Sequence, residues 1–144
     1  MSIPVDPLEG LDTITIPLVK HIRQVIPEIL AVYVYGSRVR GGLHPASDLD
    51  LALLLPKHVD VSPLLLGQLQ GDLESLAGIS VEISILSLET QIVHCKEVVA
   101  GGRPVFAADP RLVDEFEMRA LSGYARLCED RAPVLEAYTK LSNG

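Results

Sequence analysis

Apolar and polar positions change their period along this chain, and each change marks an element. In residues 11–29 Ile14, Leu18, Ile22, Val25 and Ile26 recur at near-helical spacing, and Pro27 closes the run. Residues 30–35 form a short β-rich stretch that Gly36 ends. Over residues 49–55 Leu49, Leu51, Leu53 and Leu55 fall on one face of a strand, with Asp48, Asp50, Ala52 and Leu54 on the other. Pro63 to Ala77 reads as a helix with proline in its first turn and Gly78 just past its end. Residues 79–86 alternate most cleanly: Ile79, Val81, Ile83 and Ile85 against Ser80, Glu82 and Ser84. Ser87 offers a cap for a helix reaching about Ala100, and residues 103–107 follow Gly101-Gly102 as an edge strand that tolerates Pro104. Asp109-Pro110 opens a last helix to about Glu129; Pro133 breaks the pattern, and 134–141 reads as a further segment. Helical and strand periods in alternation predict an α/β (α+β) fold, taken as one domain over 1–144.

Composition narrows the function classes. A hydrophobic fraction of 48% supplies a core and excludes a disordered chain. The net charge of -7 argues against gripping a nucleic acid polymer, which needs many Lys and Arg contacts to phosphates, yet leaves a single metal-bound nucleotide open. Cys95 and Cys128 show no paired spacing and read as two reduced thiols. The N-terminus lacks the basic start and apolar run of a signal peptide, and no stretch approaches a transmembrane length, so the expected location is the cytoplasm.

The chemistry concentrates between the first two strands. Gly36-Ser37 ends one strand, residues 38–47 intervene, and Asp48-Leu49-Asp50 opens the next. Carboxylates two apart on a strand point the same way, so Asp48 and Asp50 converge; two like charges on one face are relieved by a cation between them. Gly36 lets backbone approach a ligand closely, Ser37 offers a hydroxyl and an N–H to a phosphate oxygen, and Arg40, with Arg38 beside it, offers a guanidinium fork. Glu82, on the polar face of the cleanest strand, is the candidate third carboxylate. His44 reads as a loop histidine without chemistry, and His21, His58 and His94 lack zinc-ligand spacing. No Walker-type phosphate loop or nucleophile elbow is present.

These residues resemble the DNA polymerase β-type nucleotidyltransferase superfamily, whose signature is Gly-Ser, a spacer of this length, then Asp-x-Asp. The Gly36-Ser37-x-x-Arg40-Gly41 form and the short chain resemble its minimal nucleotidyltransferases, antitoxins paired with HEPN-domain toxins. The likeness runs from about Leu11 to Tyr138, with Glu82 standing where the family usually has Asp. The resemblance implies a mixed central sheet flanked by helices, with C-terminal helices. It implies that Asp48, Asp50 and Glu82 hold two Mg2+ ions, and that Gly36, Ser37 and Arg40 hold the phosphates of ATP. The implied reaction is transfer of AMP onto a tyrosine of the partner HEPN ribonuclease, which silences it. Two other readings share the motif: an antitoxin that neutralises by binding alone, and a small-molecule nucleotidyltransferase.

Overall fold

The computed structural model describes residues 9–36 and 48–143. In chain order these form α1 (Glu9–Val25), β1 (Ala31–Tyr35), β2 (Leu49–Leu54), α2 (Pro63–Ala77), β3 (Val81–Ile85), α3 (Ile92–Gly101), β4 (Arg103–Ala107) and α4 (Pro110–Asn143). The strands make one mixed sheet in the order β3-β2-β1-β4. β1 runs antiparallel to both β2 and β4, whereas β2 and β3 are parallel and joined by the α2 crossover.

Both faces of the sheet are covered, which is why the central strands are apolar on both sides. On one face Val32, Val34, Leu49, Leu51, Leu53 and Val81 pack with Leu18 and Ile22 of α1 and Leu69 and Leu73 of α2. His21 Nε2 lies 3.1 Å from Asp72 Oδ2 and ties these two helices together. On the other face Ala31, Tyr33, Ala52 and Leu54 pack with Cys95 and Val98 of α3 and Val113, Phe116 and Ala120 of α4. Tyr33 is fully buried there, and its hydroxyl donates to Glu117 Oε1 at 2.8 Å; burial first, then this carboxylate, push the phenol's pKa upward. Burying a phenol is tolerable because its one donor is used.

Local chemistry sets the element ends. Ser62 Oγ accepts from the Leu65 N–H at 3.1 Å as the cap of α2, and Gly78, at φ 71°, closes it. Several boundaries differ from the sequence reading: the strands read over 30–35, 49–55 and 79–86 are trimmed to Ala31–Tyr35, Leu49–Leu54 and Val81–Ile85, and three helices change. α1 ends at Val25, two residues before Pro27, and carries Pro17 within it. Ser87 spends its hydroxyl on the Thr90 N–H at 3.3 Å, closing a turn, so α3 starts only at Ile92 with Gln91 as an N-cap that makes no side-chain cap bond. α4 runs unbroken through Pro133. A proline removes one ladder bond, but the helix behind it is already nucleated and can propagate past the gap. Cys95 and Cys128 are both free thiols, one buried and one exposed. Among the described residues no helix is long and apolar enough to cross a membrane.

Candidate active site

One row of residues crosses three strands at one end of the sheet. Tyr35, the last residue of β1, stands opposite Asp50 of β2, and Asp50 stands beside Glu82 of β3. The antiparallel β1–β2 pair brings the exit of one strand to the entry of the next, and the parallel β2–β3 pair adds the third acid at the same level. Side-chain parity does the rest: Leu49 and Leu51 enter the core on the α1–α2 face, so Asp50 emerges on the α3–α4 face.

Asp50 and Glu82 stand side by side at matched register. Burial, then a hydrogen bond with Glu82, then the charges of Glu82 and Asp48, push the Asp50 carboxyl up to about 6. Gly36 abuts this carboxyl. Its φ of 89° lies in the left-handed region, and a Cβ there would collide with Asp50 Oδ2. The glycine is therefore required twice, by the turn and by the acid.

The sequence-derived residues are not all gathered equally. Asp50, Glu82 and Gly36 meet as expected. Asp48 lies just ahead of β2, is exposed, and contributes its charge to Asp50; the pair and Asp48 do not close into one cluster, and among the described residues no three acid, histidine or cysteine side chains do. The expected two-apart geometry needs both residues within the strand, and only Asp50 is. Ser37, Arg38, Arg40 and His44 lie outside the described residues.

Three further side chains adjoin the acids, and the sequence reading assigned none of them to the site. Tyr35 Oη lies 3.3 Å from Ser84 Oγ, and Ser84 Oγ lies 2.9 Å from His94 Nε2 on α3. The Tyr35 and His94 rings meet edge to face with centroids 5.4 Å apart. The alternation of β3 already put Ser84 on the Glu82 face; nothing in the sequence brought His94 to it.

The acid pair fits a divalent cation. The two carboxyls stand side by side, and a cation between them would relieve the proximity that raises Asp50, while Gly36 puts no side chain of its own against that carboxyl.

The family model described as polymerase beta, nucleotidyltransferase matches residues 18–111, a span that carries all four strands and the acid row. The chain belongs to the polymerase beta nucleotidyltransferase family. The protein adenylyltransferase MntA of Shewanella oneidensis is 26% identical to this nucleotidyltransferase over 120 residues, covering 83% of either chain. A crystal structure of a toxin–antitoxin with AMP-PNP matches the fold with TM-score 0.71 at 23% identity, over 89% of this chain and 98% of that one. An MNT antitoxin in complex with a tri-AMPylated HEPN toxin of Shewanella oneidensis matches with TM-score 0.69 at 22% identity, over 90% of the nucleotidyltransferase and 98% of its counterpart.

Proposed function

We propose that this nucleotidyltransferase is a Mg2+-dependent protein adenylyltransferase that transfers AMP from ATP to a tyrosine of a HEPN-domain toxin and so acts as its antitoxin. The observation that carries the reading is the Asp50–Glu82 pair, side by side on parallel strands with Gly36 abutting the Asp50 carboxyl. The similarity to the protein adenylyltransferase MntA supports the choice of a protein acceptor. The structural relatives bound to AMP-PNP or to an AMPylated HEPN toxin support ATP and that partner.

In this reading Asp50 and Glu82 would hold Mg2+, with Asp48 as the third acid. Magnesium, when bound, neutralises the triphosphate and lowers the pKa of the attacking hydroxyl. Ser37 and Arg40 bind the β- and γ-phosphates, and Gly36 keeps the acids free of a covering side chain. The tyrosine oxygen, giving up its proton to water, attacks the α-phosphorus, the bond from that phosphorus to the bridging oxygen of the β-phosphate breaks, and pyrophosphate leaves with the electron pair.

The test is to incubate the protein with ATP, Mg2+ and a HEPN-domain toxin from the same genome. The partner's intact mass should rise by one AMP or a multiple. A D48A/D50A variant should transfer nothing and should fail to relieve toxicity. No mass change with the wild-type protein refutes enzymatic transfer, and toxin relief by the double variant assigns the antitoxin effect to binding alone.

A further inference from the structure

Tyr35, Ser84 and His94 lie immediately inside the acid row, and the register of the sheet shows how. Tyr35 stems from β1 opposite Asp50, but its hydroxyl reaches Ser84 on β3. It must therefore cross β2, and the β2 residue level with Ser84 is Ala52. Ala52 is fully buried and small enough to let a ring pass over it. The phenol thus forms an inner wall behind the carboxyls, fastened at its far end by the serine and by a histidine from a separate helix.

Resting on the adenylyl-transfer reading, we propose that His94, acting through Ser84 and Tyr35, is a positioning residue that fixes the spacing of Asp50 and Glu82 for Mg2+. Ser84 is two residues from Glu82 on one strand face, and Tyr35 is the cross-strand neighbour of Asp50, so one hydrogen-bonded chain adjoins both acids from behind. Magnesium demands near-ideal octahedral geometry, so a small drift in carboxylate spacing is felt in its binding. Manganese is the more forgiving probe of the same pair.

Three variants test this: H94A removes the anchor, Y35F removes the hydroxyl but keeps the ring, and H94N keeps a polar partner for Ser84. With Mg2+, H94A and Y35F should lower kcat about tenfold while KM for ATP stays within about twofold. The ratio of kcat with Mn2+ to kcat with Mg2+ should rise about threefold in both, and H94N should recover most of the Mg2+ rate. Calorimetric titration of Mg2+ in the presence of AMP-PNP should show an affinity about fivefold weaker in H94A and near wild type in H94N. A wild-type kcat and metal ratio in H94A and Y35F overturns the inference, as does a rate loss with an unaltered metal ratio. If the wild-type protein transfers no AMP, that failure belongs to the proposed activity. Calorimetry then decides the present inference, with unchanged Mg2+ affinity in H94A rejecting it and the weaker affinity supporting it.

Discussion

At Gly36 and Asp50 two residues constrain one another so tightly that each predicts the other's behaviour. A side chain at Gly36 meets both an unfavourable backbone region and the Asp50 carboxyl. G36A should therefore cost about 1–3 kcal/mol of stability by chemical denaturation, and should lose most AMP transfer. Asp50 carries a pH signature of its own. Its carboxyl is raised to about 6 in the folded protein, above the ordinary value of 3.8 that the unfolded chain keeps. The folded state binds the proton more tightly, so the stabilisation is fully present below about pH 4 and is lost as pH rises through about 6. Measured in EDTA, the thermal midpoint should carry a falling component across that window which D50N abolishes. Added Mg2+ should reverse the trend, raising the midpoint more at pH 8 than at pH 5, because the ionised pair is the one that takes a cation.

The elements hold their places through a few named contacts outside the bulk of the core. The Tyr33–Glu117 bond joins the central strand β1 to α4 at 2.8 Å. Y33F should cost about 1 kcal/mol in denaturant unfolding and leave the rate of AMP transfer intact, since the hydroxyl points to α4 and away from the acid row. S62A removes the cap of α2 and should cost about 1 kcal/mol by the same measure. These elements also show what the sequence made legible. Strict alternation in β3 placed Glu82 and Ser84 on one face, and the leucine stripe of β2 placed Asp50 opposite the core. The Pro63 and Gly78 signals bracketed α2 because both act locally, while the Ser62 cap emerged only from the structure. Long-range choices were illegible. No periodicity says that β3 joins β2 in parallel or that α3 delivers His94 to Ser84, because these follow from packing across the whole sheet. Proline was over-read as a breaker at Pro133, where the neighbouring turns carry the helix through.

At the scale of the whole molecule, charge and topology divide the labour. With a net charge of -7, the protein should show no retention of RNA in a filter assay at physiological salt. In the proposed reading, any antitoxin effect then comes through the partner protein. The two helical layers leave the acid row at one end of the sheet, and in that reading the acceptor side chain arrives at that end. The β2–β3 crossover has a consequence for synthesis. Asp50 and Glu82 stand on strands separated in sequence by α2. A nascent chain still short of β3 lacks Glu82 and has no acid pair to present.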